Sequence, residues 1–240
     1  MTYKTLGIIL KRTNFSEADR IISIFTRDRG KIRVLAKGVR RTLSKLAGHL
    51  EPFCLTQFVI AEGRNLDIIT AAEVKKCHFE LRSNLEATRN AYYLAEITEK
   101  MTPENEKHPE IFDLLDETLE NLNTHPADLL SSYFEFKILS HIGLAPELFD
   151  CILCDEKLLP VENYFNFTHG GVSCSSCGGD RSISPEAVKI LRLFLEIDLA
   201  QIDKINVSTQ ILNEIKSITD EYIRYNHTQE FKSKRFLGAK

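Results

Sequence analysis

The chain has 240 residues, 43% of them apolar and 27% charged, a balance that excludes a disordered or fibrous protein. Its net charge of −3 hides a segregation: residues 1–50 hold twelve Lys and Arg against three Asp and Glu, and the remainder holds nineteen against thirty-one. A basic head and an acidic body meet different partners, and no apolar run nears the ~18 residues of a helical membrane span, so no membrane role is expected.

Residues 6–10 form a short Ile-rich run that predicts a first strand. The run is too short for a signal-peptide core. A cytoplasmic, nucleoid-associated protein is therefore expected, in which cysteines serve as thiols or metal ligands rather than disulfides. Ile21, Ile22, Ile24 and Phe25 predict a second strand, and Asp28-Arg29-Gly30 a short connection with Gly available for the positive φ of a bulged hairpin. Residues 30–50 then carry Lys31, Arg33, Lys37, Arg40, Arg41 and Lys45 and no Asp or Glu. The first half alternates, Ile32, Val34 and Ala36 against Arg33, Leu35 and Lys37, which reads as a strand. The second half, with Gly38, Arg40-Arg41 and Ser44, reads as a mobile loop. A basic strand feeding a basic loop suits a polyanion, because each cation placed on a phosphate releases condensed counterions.

A helix-like insert is predicted around residues 42–50. Two further strands follow, one from Phe53 to Ala61 with apolar residues on both faces and one from Leu66 to Val74. Five strands in about seventy-five residues predict a small OB-fold barrel, whose face and loops commonly bind single-stranded nucleic acid. Beyond Lys76 the apolar residues recur at helical spacing (Leu81, Leu85, Tyr92, Ala95, Met101, then Ile111, Leu114, Leu115, Leu119), with Pro109 and Pro126 suited to first helical turns. Gly143 is placed to end a helix over 126–142, and Ser184-Pro185 and Ser208-Thr209 open two more. The fold class is α+β: an OB-fold domain over 1–78, and a helical domain over 79–240 with a zinc-binding segment at 148–180.

Cys151-x-x-Cys154 and Cys174-x-x-Cys177 lie nineteen residues apart. That is the spacing of a four-thiolate zinc site, each pair aiming two sulfurs at one point while the intervening chain returns as a hairpin. Four sulfurs close the coordination shell, so the Zn2+ is structural. Gly170-Gly171 and Gly178-Gly179 give the return path freedom, His169 is a surface residue, and Cys54 and Cys77 are isolated, packed as small apolar groups. His49-Leu50-Glu51 spells half of a zinc-deaminase motif, but Asp150 and Ser173 precede the cysteine pairs where that chemistry has Pro. No phosphate loop or nucleophile elbow is present, so no enzymatic activity is expected.

The residues also carry a resemblance. Glu17-Ala18-Asp19-Arg20, Phe25-Thr26, Gly30, Ala36-Lys37-Gly38-Val39-Arg40-Arg41, Ser44, Gly48-x-Leu50-x-Pro52-Phe53, Leu66 and Glu73 resemble the RecO family of bacterial recombination mediators. So do Phe134-Glu135, Gly143-Leu144-Ala145-Pro146, the two cysteine pairs and Lys232-Ser233-Lys234-Arg235-Phe236-Leu237. The resemblance spans nearly the whole chain. It implies binding of single- and double-stranded DNA without sequence preference, annealing of complementary strands, and partnership with RecR. It further implies loading of RecA onto DNA covered by single-strand-binding protein, whose acidic tail meets the helical domain. One departure is Ser132-Tyr133, where relatives have Arg before Phe-Glu; this leaves the tail to another cation such as Lys137. Lys37, Arg40, Arg41 and Lys45 are the expected phosphate contacts, with Arg20 and Arg33 extending the track. The competing reading is a zinc-stabilised adaptor whose basic head binds an acidic protein.

Overall fold

The computed structural model of the chain describes residues 1–227 and 231–237. Five strands open it: β1 (Thr2–Phe15), β2 (Asp19–Thr26), β3 (Gly30–Ala36), β4 (Cys54–Ala61) and β5 (Asp67–Cys77). They close a barrel in the order β1-β2-β3-β5-β4, the five-stranded OB arrangement. β1 serves two neighbours, with Gly7 opposite Thr26 of β2 and also opposite Thr56 of β4. The closing contact is parallel and short, Val34 against Asp67 and Leu35 against Ile68. As the alternation predicts, Ile32, Val34 and Ala36 point inward and join Ile9, Ile22, Ile24, Phe58, Ile60 and Ile69 in the core. Each such side chain withdrawn from water contributes roughly 1.5–3 kcal/mol before the entropy of ordering it.

Two expectations about the barrel need correction. The insert at 42–50 is a series of turns with one 3-10 turn, Ala47–His49; Val39 and Leu50 tie it to the core, at 2% and 1% exposure. Cys54 and Cys77 are not isolated. They face each other across β4 and β5 and form a disulfide, with Cα atoms 4.2 Å apart. Twenty-three residues separate them in sequence, and only the β4–β5 register reveals the pairing.

The helices are α1 (Leu85–Met101), α2 (Pro109–Asn121), α3 (Ala127–His141), α4 (Pro185–Glu196), α5 (Thr209–Asn226) and α6 (Lys234–Leu237), and three short strands precede α4: β6 (Asn163–Asn166), β7 (Gly171–Ser173) and β8 (Arg181–Ile183). The caps follow from the residue types. The Asn84 side chain accepts from the backbone of Glu86 and Ala87, Ser184 from Ala187, and Ser208 from Ile211, each satisfying an N–H that the helix itself leaves open. Pro109 lies in the first turn of α2, whereas Pro126 stands just before α3. No helix among the described residues is long and apolar enough to cross a membrane.

The chain divides into two compact units. One holds the barrel, α1, α2 and the segment 231–237; the other spans residues 125–227. The predicted boundary near 78 falls at the end of β5, while α1 and α2 pack into the same unit as the barrel. Within that unit a seam ties β3 to the segment after α1. Gly30, at φ +68°, leaves no room for a Cβ, which would overlap the Glu106 carbonyl. Asn105 N donates to Lys31 O at 2.9 Å, and Lys31 Nζ donates to Thr102 O at 2.6 Å and to Glu99 O. Lys31 thus caps the negative end of α1.

The same unit gathers in the segment 231–237. Lys232 N and Ser233 N donate to the Glu96 carboxylate at 2.9 and 2.7 Å, and Lys100 lies 2.9 Å from it. Phe231 packs edge-on to Tyr93, and the Lys234 ammonium stands 5.0 Å above the Tyr93 ring. Burial pushes the Glu96 carboxyl upward, but the donors of Ser233, Lys100 and Lys232 outweigh it and hold the group at about 2.

Candidate nucleic-acid interface and four-thiol centre

β3 delivers the chain into the loop at Ala36, and the loop is held at defined points. Gly38, at φ +64°, donates its N–H to Asp19 Oδ1 at 2.7 Å. Arg40 N donates to Ala18 O at 2.9 Å, and Arg40 Nη1 to Ser16 O at 3.1 Å. Val39 reaches down into the barrel core. The loop is therefore seated on the turn between β1 and β2, with Lys37, Arg40, Arg41 and Lys45 exposed. The sequence did not mark Asp19 as the residue that seats it.

Several cations elsewhere in the unit are matched by carboxylates: Arg12 to Glu51 at 2.6 Å, Arg27 to Asp113 through two nitrogens at 3.0 and 2.8 Å, Lys76 to Glu120 at 2.7 Å. What distinguishes the loop is the density of exposed cations that lack such a match. Lys37, Arg40, Arg41 and Lys45 have no carboxylate partner among the described residues. Such a loop keeps its full charge available to a polyanion.

The two flanking arginines differ from the loop and from each other. Arg20 stands in register with Ala36 and bonds Asn14 Oδ1 at 3.1 Å, beside the turn that seats the loop. Arg33 stands in register with Ser23, on the opposite face of the ladder. There it lies 3.9 Å from Glu104 and lines a cleft of about 410 Å³ with Tyr3, Arg29, Asp67 and Lys107. Lys37, Arg40, Arg41 and Lys45 share one loop, Arg20 stands beside the turn that seats it, and Arg33 lies on the strand that leads into it, beside Glu104. Lys31, the first cation of the stretch, is buried in its capping role, and burial draws its pKa below the ordinary lysine value.

The cysteine site is built by a second set of pairings. β6 and β7 form the predicted hairpin, and β7 runs directly into Cys174. Val172 N donates to Glu147 O at 2.8 Å and Ile152 N to Val172 O at 3.0 Å, which lays the first knuckle along β7. Gly178, at φ +68°, turns the second knuckle by donating to Cys174 O at 3.0 Å. All four Sγ atoms of Cys151, Cys154, Cys174 and Cys177 lie within 4.8 Å of one another, Cys154 and Cys174 at 3.9 Å. Tetrahedral Zn–S bonds of about 2.3 Å place sulfurs about 3.8 Å apart, so the cluster fits zinc.

The donor chemistry agrees. Burial works against the Cys151 thiolate, but N–H groups of Cys174, Leu153 and Cys154 aimed at its sulfur lower it to about 6. Cys177, beside the Cys174 and Cys154 thiols, is pushed up to about 12. Four thiolates at one point need a soft divalent cation to neutralise them. His169 is exposed and bonds Asn166 at 2.9 Å, as expected of a surface residue.

The expected landing place for an acidic tail is altered. Ser132 and Tyr133 are buried, at 0% and 2% exposure. Tyr133 donates to Ile197 O at 2.9 Å, and half-buried Lys137 donates to Leu195 O at 3.1 Å. Burial also draws the Lys137 pKa down. Lys137 serves its own unit.

Comparison with known proteins divides the chain near the end of β5. The family model "Recombination protein O N terminal" matches residues 1–78 and "Recombination protein O C terminal" matches residues 82–235. A DNA repair protein RecO from Dehalococcoides mccartyi is 38% identical over 99% of this chain and 95% of its own length. One from Bacillus pumilus is 32% identical over 99% and 94%, respectively. An OB barrel with a cationic loop, a helical region with a four-thiol cluster, and matches along the whole length agree: the chain belongs to the RecO family of DNA repair proteins.

Proposed function

We propose that this chain is a recombination mediator that binds single- and double-stranded DNA through the loop from Lys37 to Lys45. Lys37, Arg40, Arg41 and Lys45 hold backbone phosphates, Arg20 extends the contact beside the loop, and Arg33 receives the strand along β3. Contacts to phosphate carry no sequence information, which suits a protein that acts on any gap. Annealing follows from charge: cations that neutralise two strands together reduce their repulsion while the bases find register. With RecR, the protein then promotes loading of RecA on DNA covered by single-strand-binding protein, as its family resemblance implies. The observation that carries the reading is that Lys37, Arg40, Arg41 and Lys45, four exposed cations on one short loop, have no carboxylate partner among the described residues. The work is that of a binding protein in the cytoplasm, at the nucleoid, with no catalytic step.

The test is a salt series. With about five phosphates engaged, log K falls against log salt with a slope near −4, and the Arg40→Ala/Arg41→Ala double variant flattens that slope by roughly 1.5. An unchanged slope and affinity removes this loop from the site. A gel shift with unrelated single strands separates this reading from an adaptor for acidic proteins, which would leave the strands free.

The second part of the proposal is that Cys151, Cys154, Cys174 and Cys177 hold Zn2+ with all four positions filled by sulfur. The ion would lock the two knuckles together and has no open position for water. Elemental analysis of the purified protein is expected to give one zinc per chain; a protein free of zinc whose stability ignores a chelator would refute the assignment.

A further inference from the structure

The loop that carries the free cations also carries a free apolar side chain. Leu43 is 94% exposed, whereas Val39 and Leu50 in the same stretch are 2% and 1% exposed. A lone exposed leucine is ordinary on a protein surface, but this one has a defined setting. Ser44 N donates to Arg41 O at 3.0 Å, closing a turn whose two central residues are Thr42 and Leu43. The limbs of the loop are fixed, one by Val39 and the Gly38–Asp19 bond, the other by Leu46, Ala47 and Leu50 against the core. Leu43 is thus the apolar tip of a seated turn, and Arg40, Arg41 and Lys45 surround its base.

We infer that Leu43 is a wedge that enters the base stack of the bound strand. Cations at the foot of the turn engage phosphates, and an apolar tip between them meets the largest apolar surface a nucleic acid offers, the faces of its bases. Proteins that unstack DNA do so with aliphatic or aromatic tips of this kind, and a base face is available at every step whatever the sequence. The ligand of the site is therefore a pair of adjacent nucleobases, and the action is to part them. A strand held partly unstacked presents its bases to a complement, which is what annealing requires. This inference rests on the DNA-binding reading above and adds a contact to bases that phosphate binding alone does not need.

The probe is an oligonucleotide carrying 2-aminopurine, whose emission rises when the base leaves the stack, titrated with the full chain. The wild-type protein is expected to raise the emission on binding. Leu43→Ala is expected to bind about threefold to tenfold more weakly, roughly 0.7–1.4 kcal/mol, with an unchanged salt slope and no emission rise. Leu43→Phe, which keeps an apolar tip, retains the rise. Because the side chain is exposed, the alanine variant should melt within about 2 °C of wild type, so a lost signal is not lost folding. Wild-type binding without an emission rise, or an alanine variant with the full rise, overturns the wedge while leaving the phosphate contacts standing. A leucine that served a protein partner instead would give the second of these results. If the wild-type protein shows no salt-dependent affinity for DNA, the DNA-binding reading fails and the wedge falls with it.

Discussion

Lys31 and Arg41 stand ten residues apart in one unbroken run of positive charge, yet they do opposite work. The Lys31 ammonium is buried against Glu99 O and Thr102 O at the end of α1, while Arg41 is exposed with no carboxylate partner among the described residues. Lys31→Ala is expected to cost roughly 1.5–3 kcal/mol, since it leaves carbonyls at a helix end without a charged donor. It should not alter the salt dependence of DNA binding, whereas Arg41→Ala should alter that dependence and spare stability. Thermal melts and a salt series on both variants check the pair. Glu96 supplies a pH prediction. Its carboxyl sits at about 2 when folded, below its ordinary 4.5, so its stabilising effect is complete above roughly pH 4.5 and fades as pH falls toward 2. Melting temperature followed over this acid range should drop more steeply for wild type than for Glu96→Gln, which has already lost the carboxylate.

At the scale of elements, the knuckles test how much one segment depends on its thiols. Cys151 is fully buried, and its sulfur accepts the Cys174 N–H at 3.2 Å. Cys151→Ser should release the metal and lower the melting temperature by several degrees, because bound zinc is itself folding free energy; the DNA affinity of the barrel should survive. Much of this layer could be read from the residues. The alternation of β3, the two CxxC pairs, the Ser184 and Ser208 caps and the helical stripes all act through neighbours a few residues away, where chemistry and spacing are visible in order. Other features depend on partners far along the chain. β1 runs from Thr2 to Phe15, well past its apolar run, because backbone pairing with β2 continues to Phe15 and holds residues such as Lys11 and Arg12 whose side chains stay partly in water. The Cys54–Cys77 disulfide, the capping role of Lys31, and the separation of Arg20 from Arg33 onto opposite faces come from register. No local pattern encodes them.

On the scale of the molecule, the compact unit that holds the barrel is assembled from two distant stretches of chain, 1–124 and 231–237. The Lys232-Ser233 segment has a structural explanation in this arrangement: its backbone donors satisfy the half-buried Glu96 carboxylate, and Phe231 packs on Tyr93. Removal of residues 231–240 is expected to destabilise α1, leaving a half-buried carboxylate short of donors, at a cost of roughly 1–3 kcal/mol. Hydrogen exchange along residues 85–101 reads this directly: faster exchange there, with the knuckle segment unaffected, is the expected outcome. The same arrangement sets an order of events during synthesis. At about 5–20 residues per second, a ribosome delivers Phe231 some 5–20 s after Thr124. Through that interval the nascent barrel must persist with Glu96 and the Tyr93 ring uncovered, while the intervening unit folds. The unit that is begun first is therefore sealed by a stretch of chain made only after its neighbour.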